Sequence, residues 1–256
     1  PWEGGASIRE GAAEKPWQTV SATATPHAEG WAKPEQLDAG GIKVLADAFA
    51  ASARRAARAG FDLVELHAAH GYLLHQFFSP LSNTRSDAYG GSLEKRMRAP
   101  LEIAAALRAG WPRDRVLGAR ISGNDWAEGG AGPEDAVVFA RELKALGYDF
   151  VCVSSGALAQ SKIQVGPGYQ VPFAAKVKRE AGIATRAVGM IVTPRHAEDV
   201  LRAGDADQIA LGRAFIDDPR WPWRAAEALG DPAPVPLQCL RGRPNTWPGA
   251  ALLKAG

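Results

Sequence analysis

Two histidines and a tyrosine lie close together in the segment ELHAAHGY at residues 65–72. His67 and His70 are three residues apart at the end of a predicted strand, so both N–H groups can point at one acceptor. The phenol of Tyr72 can reach the same pocket, and such a trio can polarise a carbonyl oxygen and deliver a proton. A zinc site is not indicated, because no third ligand stands at compatible spacing. For the histidine pair taken alone, hydrogen bonding within a loop is the alternative.

A long, turn-rich loop follows this trio, with the sequence QFFSPLSNTRSDAYGGS at residues 76–92. Arg85 and Asp87 are spaced to form an ion pair within it. By itself, the pattern indicates an elaborate loop beside the histidines.

Polar residues or glycines also end each of the later strand-like runs. They are Arg120, the Ser154-Ser155-Gly156 run, Gly189 with Met190, and Gly212 with Arg213. In β/α barrel enzymes the catalytic residues lie at the carboxyl ends of the strands, and the loops after the last two strands often bind a phosphate. The Gly-Met and Gly-Arg pairs therefore predict a phosphate site.

The elements that must position these residues alternate between strand and helix. The strand-like runs cover residues 63–67, 116–122, 150–154, 184–189 and 208–212, with amphipathic helical segments between them. Near-continuous apolar strands between helices predict a parallel sheet covered on both faces. Such a sheet could be open and doubly wound or part of a closed barrel. The polar strand ends favour an α/β fold of the (β/α)8 TIM-barrel type, with about five of its eight βα units in this chain.

Helix punctuation agrees with this alternation. Residues 42–59 have helical periodicity, and Gly60 stands where the helix should end. Ser92 is predicted to cap a helix that Pro100 should kink, and Pro133 suits a first helical position.

The predicted layout is a single partial barrel domain over residues 1–256. Residues 1–40 are rich in Gly, Pro, Ser, Thr and Ala without a sustained period, and we expect them to form an irregular connection. No strand is expected before Leu63. The βα units occupy residues 41–230, and residues 231–256 form a C-terminal tail.

Composition narrows the class of partner. Lys and Arg number 30 against 28 Asp and Glu, and the positive charges are scattered, so neither nucleic acid nor an anionic membrane is indicated. No apolar run approaches the roughly 18 residues of a membrane span. Cys152 and Cys239 are the two cysteines of the 256 residues, which fits a reducing compartment. We expect a cytoplasmic enzyme that acts on a small molecule.

Several motifs together resemble the Old Yellow Enzyme family of FMN-dependent ene-reductases, and its bacterial branch with xenobiotic reductases in particular. These are HAAHGYL, QFFSP, NxRxDxYGGS and ExR, then ARIS at residues 119–122, DW at 125–126, GPGYQVPF at 166–173 and LGR at 211–213. They occur in the family's order over nearly the whole chain. The resemblance implies reduction of the activated C=C bond of α,β-unsaturated carbonyl compounds by FMN, with NADPH or NADH as reductant.

The resemblance also implies roles for single residues. His67 and His70 would bind the substrate carbonyl oxygen, and Tyr72 would protonate the α-carbon while the reduced flavin delivers hydride to the β-carbon. Arg120 would face the pyrimidine edge of the flavin, with a salt-bridged arginine as the alternative. The remaining FMN contacts would come from Gly189, Met190, Gly212 and Arg213.

The segment QCLRG at residues 238–242 resembles the part of this branch that carries an arginine into a neighbouring subunit's active site. Arg241 would then bind substrate in a homo-oligomer. Cys239 and Leu240 depart from the usual aromatic and acidic residues there, and a solvated surface arginine is the alternative.

In this family three strands precede the region where the chain begins, so the resemblance places strands 4 to 8 here and predicts a truncated enzyme. An inactive fragment or scaffold is one alternative function. A relative such as a dienoyl-CoA reductase or an amine dehydrogenase is another. Those relatives need clustered cysteines for an iron–sulfur centre, and the cysteine count argues against them.

Overall fold

A parallel sheet of five strands, each followed by a helical segment, forms the centre of the molecule. The computed structural model describes residues 17–158, 163–231, 235–243, 246–249 and 252. In chain order the strands are β1 (Val20–Ser21), β2 (Glu35–Gln36), β3 (Leu63–Ala68), β4 (Val116–Ser122), β5 (Phe150–Ser154), β6 (Ala184–Val188) and β7 (Gln208–Ala210). The large sheet has the order β3-β4-β5-β6-β7, so neighbours in sequence are neighbours in space. This confirms an α/β fold with a parallel sheet.

The helices cover the sheet from one side, so the prediction of a sheet covered on both faces was wrong. They are α1 (Ala39–Arg58), α2 (Leu73–Phe78), α3 (Leu93–Gly110), α4 (Pro133–Ala145), α5 (Val171–Ala181), α6 (Pro194–Arg202), α7 (Arg213–Asp217) and α8 (Trp221–Leu229), followed by a 3-10 helix at Leu237–Gly242. Ser92 caps α3 by accepting from the Lys95 N–H, and Pro133 opens α4, as predicted. Gly60 has φ +87° just after α1, which is the left-handed stop that a glycine permits.

The two faces of the sheet differ in character. Alternate strand residues such as Leu66, Leu117 and Val151 face the helices and are at most 1% exposed. They pack with helix residues such as Ile103 and Phe139, and burying each side chain of this size contributes roughly 1.5–3 kcal/mol to stability. The core therefore lies between the sheet and the helices.

The opposite face carries polar side chains. His67, Arg120, Cys152 and Arg186 occupy one row across neighbouring strands. Arg186 on β6 forms an ion pair of 2.9 Å with Glu65 on β3, although two strands lie between them. Neighbouring strands are about 4.8 Å apart, so this contact spans roughly 14 Å of sheet and requires this face to be concave.

The prediction of an irregular connection over residues 1–40, with no strand before Leu63, was wrong in part. β1 and β2 form a short parallel pair, and α1 begins at Ala39, before the predicted helix start. Arg85 holds this region, because its buried guanidinium donates to the carbonyls of Ala22 and Leu37 at 2.8 and 2.7 Å. Long-range pairing of this kind has no local sequence signal. Residues 1–16 lie outside the described residues.

Among the residues that the structure describes, no helix combines the length and apolar character needed to cross a membrane.

Candidate active site

The structure brings His67, His70 and Tyr72 together at the carboxyl end of β3. The ring centroids of the two histidines are 5.1 Å apart, and those of His67 and Tyr72 are 5.5 Å apart. His67 is exposed, His70 is half-buried, and Tyr72 is 64% exposed. Two imidazoles and a phenol therefore meet at one surface that a small molecule can reach.

A tight turn between β3 and α2 produces this cluster. His70 and Gly71 have φ values of +60° and +72°, and the Tyr72 N–H donates to the Ala69 carbonyl at 3.2 Å. A left-handed conformation is uncommon for a residue with a side chain and costs about 1 kcal/mol or more. The turn places His70 against the neighbouring strands, while Tyr72 starts α2 and faces solvent.

The ring of His70 is fixed by a buried polar chain. Its Nε2 lies 2.7 Å from Ser154 Oγ at the end of β5. The Ser155 hydroxyl donates to Gln170 Oε1 at 2.6 Å, and Ser154 Oγ lies 3.3 Å from the same oxygen. The Ser154-Ser155 run, noted from the sequence as a polar strand end, thus positions a histidine of the cluster.

Both histidines of the cluster are neutral at physiological pH. Burial lowers the pKa of His70 to about 4, with the positive charge of Arg120 adding to the effect. Burial and then Arg120 also lower the pKa of His67. A neutral imidazole has one N–H donor and one acceptor nitrogen. Each histidine can therefore donate a single hydrogen bond to a ligand oxygen.

Beneath the cluster lies a pair that the sequence analysis missed. His75 of α2 and Asp125, after β4, are both fully buried, and His75 Nε2 is 2.8 Å from Asp125 Oδ1. In the sequence, Asp125 stands out only as part of the DW motif at residues 125–126. The signal in the sequence was His75 itself, a third histidine five residues after His70. Its spacing matches no metal-binding or catalytic motif, so the sequence did not single it out.

Arg120 lies on β4 beside the cluster, in register with His67 and Cys152. It is half-buried, and its Nε is a buried donor without a partner among the described residues. Cys152 is fully buried, and burial raises the pKa of its thiol to about 11. The thiol is thus protonated at neutral pH, and Arg120 has a donor free for a ligand with carbonyl or anionic oxygens.

The two predicted phosphate-binding pairs follow β6 and β7. Gly189 has φ +119°, and a Cβ atom there would stand 2.7 Å from Gln170 Nε2. Met190 is 44% exposed with φ +52°. Gly212 has open space where a Cβ would be, and Arg213 is exposed beside it. The open space at Gly212, the exposed guanidinium of Arg213 and the Arg120 Nε, which has no partner among the described residues, fit a phosphate-bearing flavin such as FMN.

The structure leaves Arg241 apart from these groups. It lies exposed on the 3-10 helix, and within the described parts of the chain no hydrogen bond or ion pair joins it to the histidines. Its contact with a neighbouring subunit stays a prediction.

The loop after α2 supports the helix that follows the histidine turn. As predicted, Arg85 and Asp87 form an ion pair, with Arg85 Nε donating to Asp87 Oδ1 at 3.0 Å. Asn83 donates to the carbonyls of Phe77 and Tyr89, which fixes the loop at both ends. The loop is therefore a scaffold for α2 and for the turn that precedes it.

Chemically, the arrangement combines two neutral N–H donors, an exposed phenol and a cationic neighbour. Donors grouped in this way stabilise negative charge on an oxygen, and the phenol can supply a proton. Within the described residues, no group of three or more His, Cys, Asp or Glu residues is placed to hold a metal ion.

Comparisons with known proteins agree with one another. A family model described as "NADH:flavin oxidoreductase / NADH oxidase family" matches residues 2–231. An NADPH dehydrogenase of Geobacillus thermodenitrificans is 44% identical over 229 residues, which is 90% of this chain and 67% of the relative. A second, from another Geobacillus strain, is 44% identical over 225 residues, or 88% and 66%. The chain thus spans about two thirds of the length of the curated relatives it matches.

Solved structures give the same result. Morphinone reductase superposes with a TM-score of 0.70 at 27% identity, over 86% of this chain and 62% of that one. A 2-naphthoyl-CoA reductase complex superposes with a TM-score of 0.76 at 25% identity, over 84% of this chain and 33% of the other.

Proposed function

The chain belongs to the NADH:flavin oxidoreductase / NADH oxidase family, and on that premise we propose that it carries the substrate-reducing site of an FMN-dependent ene-reductase. Membership confirms the predicted resemblance to Old Yellow Enzymes, the class of enzyme, and FMN with a nicotinamide reductant as the cofactors. The substrate, the closed barrel, the subunit arrangement and the roles of single residues are our proposals.

The observation that carries the proposal is the grouping of His67, His70 and Tyr72 beside Arg120. An α,β-unsaturated carbonyl compound gains negative charge on its oxygen when hydride adds to the β-carbon. Two neutral imidazole donors suit that oxygen, and losing one preorganised donor of this kind typically costs about 2.7–4 kcal/mol of barrier. The ring distances of 5.1 and 5.5 Å allow one small substrate to touch all three groups.

Each residue then has a definite task. His67 and His70 bind the carbonyl oxygen and orient the enone, and Tyr72 transfers its hydroxyl proton to the α-carbon. Because Tyr72 is 64% exposed, solvent can restore that proton. Arg120, Gly189, Met190, Gly212 and Arg213 would hold FMN. When bound, FMN reduced by NADPH or NADH supplies the hydride.

The fold supports the same assignment. We propose that the five parallel strands are strands 4 to 8 of a (β/α)8 barrel. Two observations support this: the concave polar face of the sheet and the TM-score of 0.70 to morphinone reductase. In such a barrel the strand ends that carry these groups face one common mouth. Arg241 of a neighbouring subunit would add a contact to the substrate there in a homo-oligomer.

One observation favours a second candidate. The superposition on the 2-naphthoyl-CoA reductase complex has the TM-score of 0.76, above that of morphinone reductase. Reduction of a conjugated acyl-CoA thioester uses the same carbonyl-binding chemistry. The 44% identity to NADPH dehydrogenases favours a simple enone. The two cysteines of the chain also argue against relatives such as a dienoyl-CoA reductase, which need clustered cysteines for an iron–sulfur centre.

The test is NADPH-dependent reduction of 2-cyclohexenone by the flavin-loaded enzyme, with an enoyl-CoA thioester tested in parallel. Tyr72→Phe should lower the rate of the flavin oxidation step by roughly 10²–10⁴-fold, the range for a positioned general acid. Tyr89→Phe removes a phenol that bonds Glu102 instead and should leave that rate unchanged. Absorbance of bound FMN checks that each variant is loaded.

Three results would contradict the proposal. A loaded enzyme that leaves cyclohexenone unreduced would indicate another reaction or a silent scaffold. A clear preference for the thioester would favour the second candidate. Equal rates in Tyr72→Phe and wild type would remove Tyr72 from proton transfer.

A further inference from the structure

A buried side-chain acceptor helps to hold the turn that presents His70. His70 and Gly71 are both left-handed, and the Gly71 N–H donates to His75 Nδ1 at 2.9 Å. A Cβ atom on Gly71 would stand 2.7 Å from the Ala157 carbonyl oxygen, so the turn is also tightly packed. The Gly71 N–H has its partner in a side chain, and losing that partner would leave a donor unsatisfied in a strained turn.

This contact fixes the proton positions on His75. Because Nδ1 accepts from Gly71, the ring proton must be on Nε2, which lies 2.8 Å from Asp125 Oδ1. If both ring nitrogens carried protons, two N–H groups would face one another at Gly71. The two contacts therefore select the tautomer of His75 that carries its ring proton on Nε2.

Asp125 enforces that tautomer. Its Oδ2 accepts from the Ser79 hydroxyl at 2.6 Å and from the Ala131 N–H at 2.7 Å, so both oxygens have donors. Burial raises the pKa of Asp125, but its hydrogen bonds, the one from His75 foremost, outweigh burial and hold the pKa below the ordinary value. An ionised Asp125 can only accept, and it keeps the His75 proton on Nε2.

We propose that His75, oriented by Asp125, is a positioning residue for His70. The pair acts from behind the turn, since both side chains are fully buried and neither touches the open surface of the site. Ser154 holds the ring of His70 at 2.7 Å, while His75 holds its backbone turn. The two contacts together set the direction in which His70 donates to a carbonyl oxygen. The expected effect of His75 on enone reduction rests on the proposed function. The expected effect on the orientation of His70 does not.

Two substitutions separate the two hydrogen bonds of His75. In His75→Asn, the amide oxygen occupies the δ position and can still accept from Gly71, but the side chain is too short for Asp125. In His75→Gln, the longer amide can donate to Asp125 but offers no δ acceptor to Gly71. If His75 acts through the turn, the Asn variant should retain most of the kcat/KM for cyclohexenone. The Gln variant should lose tenfold or more per bound FMN.

A control and an independent readout complete the experiment. His27→Gln removes an exposed histidine near Trp31 and should change neither kcat/KM per bound FMN nor the His70 spectrum. In enzyme with ¹⁵N-labelled histidine, the ring nitrogens of His70 should give one tautomeric state in wild type and in His75→Asn. They should give an averaged state in His75→Gln. This measurement does not require turnover.

The outcomes are distinguishable. Equal kcat/KM per bound FMN and equal His70 spectra in the Asn and Gln variants would overturn the inference while leaving the proposed function intact. Activity that follows only the thermal stability of the variants would also overturn it, because a purely structural role predicts that correlation. A wild type without enone reduction would instead contradict the proposed function, and the spectra would still test the positioning of His70.

Discussion

At the scale of residues, the site depends on histidines held in their neutral form. His70 is surrounded by packed backbone, by the ring of His67 and by the cation of Arg120, and each of these disfavours a proton on its ring. The neutral form suits a donor to a ligand oxygen, because its second nitrogen, Nε2, can accept from the Ser154 hydroxyl while the other nitrogen carries the proton. Catalytic geometry and protonation state are therefore set by the same contacts.

These contacts make the stability of the fold depend on pH. The pKa of His70 is about 4 in the folded state and about 6.5 when unfolded. Between these values the unfolded chain binds a proton that the folded chain does not, so the free energy of unfolding should fall as the pH falls from about 6.5 to about 4. His67 should contribute in the same direction, since its pKa is also lowered.

Urea unfolding at a series of pH values measures this effect. His70→Gln should make the pH dependence shallower over that window, whereas His27→Gln should preserve the wild-type slope. The same slope in His70→Gln and in wild type would contradict the neutral state of His70.

At the scale of elements, the concave face of the sheet is packed by one close contact between neighbouring strands. Phe150 of β5 lies over Gly118 of β4, and a Cβ atom on Gly118 would be 2.2 Å from the ring. The guanidinium of Arg186 stacks 4.3 Å from the centroid of the same ring. The missing side chain of Gly118 thus leaves room for the Phe150 ring and the Arg186 guanidinium on this face of the sheet.

Gly118→Ala should therefore destabilise the fold by about 1–3 kcal/mol, the usual cost of overpacking a core. Phe150→Leu shortens the clashing side chain, so the double variant should be more stable than the sum of the two single changes predicts. Chemical unfolding of the four proteins measures this coupling, which for contacting residues is about 0.5–3 kcal/mol. Strict additivity would show that the ring does not occupy the space above Gly118.

At the scale of the whole molecule, the large sheet has two unpaired edges within the described part of the chain. β3 pairs with β4 alone, and β7 with β6 alone. Leu63 on the β3 edge is 36% exposed, and Phe215, beyond β7, is 38% exposed. Unpaired parallel edges beside exposed apolar groups are sites where chains associate.

A protein of these 256 residues should accordingly self-associate as its concentration rises. Size-exclusion chromatography with light scattering over a concentration series measures the mass. Leu63→Lys places a charge on the β3 edge and should lower the association, while Val44→Lys, on the exposed face of α1, should not. A single monomeric species at all concentrations would contradict this expectation.

Much of this molecule could be predicted from sequence because its signals are local. Apolar runs predicted the five strands of the large sheet, with ends that differ by one residue at β3 and β6 and by two at β7. Ser92, Pro133 and Gly60 marked helix ends, since a cap or a left-handed stop needs a particular residue type at one position. The motif around His67, His70 and Tyr72 was enough to place three chemical groups together.

Other features were decided by the tertiary structure alone. The β1 and β2 pair, the His75 to Asp125 bond and the Glu65 to Arg186 ion pair join residues far apart in the sequence. No local pattern encodes such contacts, because burial supplies their energy and burial depends on the whole fold. The sequence by itself determined which chemical groups stand at the strand ends and the family to which they belong. The tertiary structure decided their protonation states, their partners and the strained turn that aims His70, since each depends on neighbours that only folding brings near.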